Sequence, residues 1–166
     1  MCDKKTKSQK LKDAVTAELY TMGISVAEAR KTSSLYRHNV NRKLGENPEL
    51  YGHLLQKLPP ELHHDKAEQA AYVALTLSSF VGNNGAENLA SAIAKIPNNT
   101  NIIKRFRMAE MSKDIDELRI RLRGVLKLVA SNGQKVNYAN LAVDLYHWQY
   151  SKAEQIRQWE RTLVNK

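Results

Sequence analysis

Apolar residues recur along this chain at helical spacing, three and four apart, and no strand-like alternation persists between turn residues. Leu11, Val15, Leu19 and Met22 form a first stripe closed by Gly23, and Ser25 with Glu28 has the form of a capping box opening a short second helix. Lys31 to Glu46 is polar and carries no clear stripe. Asn47 before Pro48 supplies an N-cap and a first-turn proline, and Leu50, Leu54, Leu55 and Leu58 carry the next helix to the Pro59-Pro60 stop. Asp65 with Glu68 repeats the start signal for a longer helix through about Val81, with Asp65 as its cap.

Two turn-forming runs follow, GNNG at Gly82 to Gly85 and PNNT at Pro97 to Thr100, with a short helix between them that turns Leu89, Ile93 and Ile96 inward. Beyond the second run the pattern predicts helices near Asn101 to Met111, from about Asp114 to Ala130, from Tyr138 to about Tyr150, and a last one from a Ser151/Glu154 capping box. The prediction is an all-α fold of roughly eight helices in two packed lobes. An N-terminal helical lobe would span 1–99, and a C-terminal four-helix bundle with a basic face 100–166, although a four-residue connection also serves inside a single domain.

Charge adds a partner class. Among the 166 residues, 26 Lys and Arg against 17 Asp and Glu give a net charge of +9, which favours polyanions through counterion release, nucleic acid before anionic membrane. From Asn101 to Lys166 thirteen basic residues face seven acidic ones, so most of the surplus lies in the C-terminal part. The lone Cys2 excludes a disulfide framework and favours a reducing compartment. With no signal-type apolar run near the N-terminus and no stretch near the ~20 apolar residues of a membrane span, the expected location is the cytoplasm.

On the Asp114 to Ala130 helix, Ile115, Leu118, Leu122, Val125, Leu126 and Val129 share a core side. Arg119, Arg123 and Lys127 follow at four-residue steps, and a rise of ~6 Å per step is close to the ~7 Å between phosphates of an extended strand. A solvated helix flank is the alternative reading. Asp114, Asp116 and Glu117 crowd the first turn, where the macrodipole favours them, and leave the cations beyond uncompensated. Lys104, Arg105 and Arg107 extend this cluster, and Arg30, Lys31, Arg37, Arg42 and Lys43 form a second one near Tyr36, suited to a loop grip on phosphate. Trp148 and Trp159 fit helix faces closing on one another, so they are assigned to packing and not to base stacking.

Motifs for catalysis are missing: no HExxH, no Gly-rich phosphate loop, no GxSxG and no Cys/His cluster at ligand spacing. His63-His64 beside Asp65 falls at a helix start, and adjacent histidines on a helix point apart, so no metal is expected. Asp144 and His147, three apart, read as a surface hydrogen-bonded pair. No catalytic residue, cofactor or metal is assigned, and the chain is read as a non-enzyme.

The segments KRF at Lys104 to Phe106, VNYANLAVDLYHWQY at Val136 to Tyr150 and QWERTLV at Gln158 to Val164 resemble the CasB family, the small subunit of the type I-E CRISPR surveillance complex, Cascade. AEARK at Ala27 to Lys31 and PELYGHLL at Pro48 to Leu55 extend the likeness upstream. The resemblance implies a helical subunit present as two copies along the inner side of the complex. There it would line the guide crRNA paired to target DNA, help hold the displaced non-target strand, and sit beside the backbone and large subunits. By position it implies contacts from Arg30, Lys31, Arg105, Arg119, Arg123 and Lys127, with Arg107 beside them. Asn137-Tyr138 stands where the family often has Asp-Trp, a conservative cap and core change, and Gly52 where it often has a basic residue, so no contact is assigned there. A freestanding helical DNA- or RNA-binding regulator and a structural adaptor are the rival readings.

Overall fold

A computed structural model describes residues 3–23, 27–82 and 84–165; Cys2, Ser25 and Asn83 lie outside the described residues, as do the side chains of 3–6 and 27–29, so the Ser25/Glu28 box is not among the observations. The fold is all-α. Its nine described α-helices, where the pattern predicts roughly eight, are α1 (Asp3–Gly23), α2 (Ala27–His38), α3 (Pro48–Lys57), α4 (Asp65–Val81), α5 (Leu89–Ala94), α6 (Thr100–Glu110), α7 (Ile115–Ser131), α8 (Tyr138–Tyr150) and α9 (Lys152–Val164).

Several helices open on side-chain caps, two at the expected Asn47 and Asn137 and one at Asp114, which the sequence pattern places inside the first turn. The Asn47 side chain accepts from the amides of Glu49 (3.1 Å) and Leu50 (3.3 Å), Asp114 from Glu117 (2.9 Å), and Asn137 from Asn140 (3.0 Å). Two expected caps differ. His64, not Asp65, precedes α4, which puts the Asp65 carboxylate inside the first turn, where the dipole still favours it. Ser151 precedes α9 without accepting a side-chain hydrogen bond; it also ends α8, so its backbone serves two helices at once and the box does not close. The polar stretch after Lys31 is helical as far as His38 because tertiary partners override its weak pattern. Tyr36 is fully buried, its hydroxyl donates to Glu18 (3.0 Å), and His53 reaches the same carboxylate (2.6 Å).

α4 is the central helix, buried almost throughout from Ala67 to Ser78 and packed against α1, α2, α3, α7 and α8. Helices from either side of Pro97 to Thr100 share this core: α1 lies on α8, α5 on α9, and α4 on both α7 and α8. Both tryptophans are buried in it. Trp148 donates to the Glu110 carbonyl (3.2 Å), and Trp159 donates to Asp144 (3.0 Å) while its ring centroid lies 5.2 Å from that of Phe106.

Gly82 ends α4 in the left-handed region (φ 76°), returning its N–H to Ser78. The chain then extends at Asn84–Glu87 and bridges Val136, while the amide of Asn137 donates to the Glu87 carbonyl (2.7 Å), so the two inter-helix loops are stapled together. Gly85 is required here: a Cβ would stand 2.3 Å from the Lys135 Cβ and 3.2 Å from its backbone carbon. Among the described residues no helix is long and apolar enough to cross a membrane.

Candidate nucleic-acid interface

α7 carries the expected core face, with Leu118, Leu122, Val125, Leu126 and Val129 buried. Its cations, however, do not form one exposed row. At 100° per residue, four-residue steps drift by ~40°, so a row that begins inside walks outward. Arg119 is 2 % exposed, Arg123 is intermediate and Lys127 is exposed. Arg119 lies on the line of Ile115, Leu122 and Leu126, and its guanidinium pairs with Asp116 (2.7 Å). Arg121 pairs with Glu117 (2.6 Å) and donates to the Met108 carbonyl (2.6 Å). The expectation of an uncompensated basic stretch is thereby corrected. The first-turn acids reach forward three and four residues and neutralise both arginines.

Arg119 instead belongs to the wall behind the surface, next to Tyr72. The Tyr72 hydroxyl lies 2.8 and 2.7 Å from the carbonyls of Asn39 and Arg42, and burial raises its pKa to about 12 against the opposing pull of Arg119. Asn39, itself buried, bonds Leu35 (2.7 Å) and Asn47 (3.2 Å). These contacts pin the turn between α2 and α3, which presents Asn41, Arg42 and Lys43 to solvent.

One turn beyond Arg119, the Arg123 guanidinium donates to the Asn41 side chain and stands 5.7 Å from the Phe80 ring centroid at the end of α4; the Lys127 ammonium stands 4.5 Å from the same ring. The face thus gathers Arg123 and Lys127 from α7, Phe80 from α4, and Asn41, Arg42 and Lys43 from the α2–α3 turn. Sequence reasoning singles out every cation here but neither Asn41 nor Phe80. No periodicity links positions 82 residues apart, and Phe80 reads as the end of an apolar stripe.

The remaining candidate residues lie on other elements. Arg30 and Lys31 are exposed on α2, and Arg105 on α6. Arg107, also on α6, is held by Glu160 (3.0 and 2.9 Å), which neighbours buried Glu110; burial first, and then the charge of Glu160, raise the Glu110 carboxyl pKa. Beside Arg107 an open groove is lined by Thr100, Ile103, Lys104, Met108, Met111 and Arg121.

His63 and His64 make structural contacts. His63 bonds the Leu55 and Leu58 carbonyls (2.9 Å each) at the end of α3, and the His64 ring lies against Tyr146. Asp144 and His147 do not pair as expected. Asp144 accepts from Trp159, with burial raising its carboxyl to about 6 against that bond, while His147 contacts Ser8 (3.1 Å). Among the described residues, no three His, Cys, Asp or Glu side chains converge to hold a metal ion.

A family model described as CRISPR-associated protein Cse2 matches residues 32–162. No curated protein matches the chain. Among solved structures, CasB from Thermobifida fusca superimposes with a TM-score of 0.71 at 18% identity, over 94% of this chain and 96% of its own. CasB from Thermus thermophilus does so with 0.74 at 18%, over 96% and 98%. A second structure from Thermus thermophilus, a CRISPR-associated protein of the Cse2 family, gives 0.76 at 18%, again over 96% and 98%. At that identity the superpositions establish the shared fold.

Proposed function

Because the chain belongs to the CRISPR-associated Cse2 family, we propose that it is a non-catalytic small subunit of a type I-E RNA-guided surveillance complex, in which it grips nucleic-acid backbone and stabilises the R-loop. It works there with the guide crRNA, the target and non-target DNA strands, the backbone and large subunits, and a second copy of itself. Base pairing supplies sequence specificity in such an assembly, so the protein has only to neutralise phosphate along the path. The observation that carries this reading is the joining of two sequence-distant basic clusters on one face. Arg123 meets the Asn41–Lys43 turn there, with Lys127 beside it on the Phe80 ring, on a wall made rigid by Tyr72 and Arg119. Forked and flexible cations on such a support hold a backbone without reading bases.

The test is binding to single-stranded and duplex DNA as a function of salt, comparing wild type with the Arg123→Ala/Lys127→Ala variant. Losing two phosphate contacts makes the log–log salt slope shallower by about 1.4 on single strands and about 1.8 on duplex. Equal slopes for the two proteins sink the reading. A preference for one duplex sequence would favour a freestanding regulator instead.

The adaptor reading is favoured at one place, the groove on α6. Arg107 and Arg121 are already ion-paired there, and Met108 and Met111 are 54% and 68% exposed, which suits a protein contact better than a phosphate.

A further inference from the structure

Phe80 is partly exposed at the C-terminal end of α4, in the middle of the cationic face. Its ring packs on the core along one side, while two cations attend it: Lys127, on a flexible stem, at 4.5 Å from the centroid, and Arg123 at 5.7 Å, anchored to Asn41. Arg123 is tethered and Lys127 is free to move. An exposed cation over an aromatic ring is worth roughly 2- to 5-fold in an equilibrium, whereas a nucleobase stacked on an aromatic side chain is worth roughly 5- to 150-fold. A base therefore wins the ring from Lys127, and the displaced ammonium has a use nearby, since the phosphate attached to that base needs a counter-charge.

We propose that Phe80 is a stacking platform for one unpaired base of a single strand, that Lys127 caps the ring in the unbound protein, and that Lys127 swings to a phosphate on either form of DNA, its place on the ring being taken by a base only when the strand is single. Duplex DNA, whose bases are already stacked, gains nothing from Phe80. The face thus discriminates single strands from duplex without reading sequence, because every base offers a π surface. This inference rests on the backbone-gripping role proposed above and names the form of nucleic acid that the face prefers.

The experiment is anisotropy titration of the purified chain at low salt with three probes: a labelled oligothymidylate, the same strand with its bases replaced by abasic sites, and a duplex. Wild type should bind the abasic strand at least 5-fold more weakly than the normal one, the lower end of what one stacked base contributes. Phe80→Leu should lose the same factor on the normal strand, no longer distinguish it from the abasic strand, and keep duplex affinity and salt slope. Phe80→Trp, which keeps a π face, should restore the dependence on bases. If wild type binds both strands equally, or if Phe80→Leu still distinguishes them, the platform is refuted, while a salt-slope loss in Arg123→Ala/Lys127→Ala leaves the backbone grip standing. If neither set of variants alters binding, both proposals fail.

Discussion

Arg119→Ala separates folding from binding on α7. Arg119 is 2% exposed and its partner Asp116 is 23% exposed. Truncation removes a charge-assisted hydrogen bond, about 1.5–3 kcal/mol, together with the packing of a buried stem, where large-to-small changes cost about 2–5 kcal/mol. Against this, a guanidinium whose Nε has no hydrogen-bond partner no longer needs to be desolvated, which returns several kcal/mol, and Asp116 is exposed enough to be hydrated. The net expectation is a loss of about 2–3 kcal/mol, a fall in melting temperature of roughly 5–10 °C for a chain of this size. Arg119→Met keeps most of the volume without the buried charge and should stay within about 1 kcal/mol of wild type. Thermal and urea melts measure both variants, and the salt slope on DNA should match wild type in each. An Arg119→Ala protein that melts like wild type but loses a unit of salt slope would refute the placement of this arginine behind the surface.

The Asp144 carboxyl has its pKa raised to about 6 by burial, from an ordinary value near 3.8. The folded state therefore binds this proton more tightly than the unfolded chain. Its contribution is most favourable below about pH 4 and is lost as pH rises through about 6. Two units correspond to about 3 kcal/mol, which partial exposure reduces to about 1–2 kcal/mol, so Asp144→Asn, still able to accept from Trp159, should be more stable than wild type by that amount at about pH 7.5 and equal to it near pH 4 in urea titrations. Gly85→Ala drives a methyl against Lys135 and should lower stability by about 1–3 kcal/mol, read as a reduced urea midpoint. An unchanged midpoint would show that the stapled loops yield freely.

The helices are legible because their stripes repeat at ~3.6 residues and because Asn47 and Asn137 announce starts that the folded chain uses. Tryptophan packing is legible for the same reason. Arg119 is misread when i, i+4 spacing is treated as a straight row; its place on the line Ile115, Leu122, Leu126 is in the sequence, but a charged side chain on that line reads as exposed until Asp116 and Tyr72 are seen beside it. The meeting of Arg123 with Asn41 is not legible at all. It depends on α4 lying between α2 and α7, which tertiary packing decides and local periodicity does not. The staple of Asn84–Glu87 on Val136 is hidden likewise, since GNNG signals a break in the chain and not what the broken segment will bridge.

The packing of α1 on α8, with Ser8 bonded to His147 139 residues further on, bears on how the chain comes into being. At ~5–20 residues per second, a ribosome needs roughly 7–30 s between the two. Throughout that interval the stripe of Leu11 and Val15 is without its main covering helix. α1 is thus enclosed long after it is made, and a chain interrupted before α8 leaves Leu11 and Val15 without that cover.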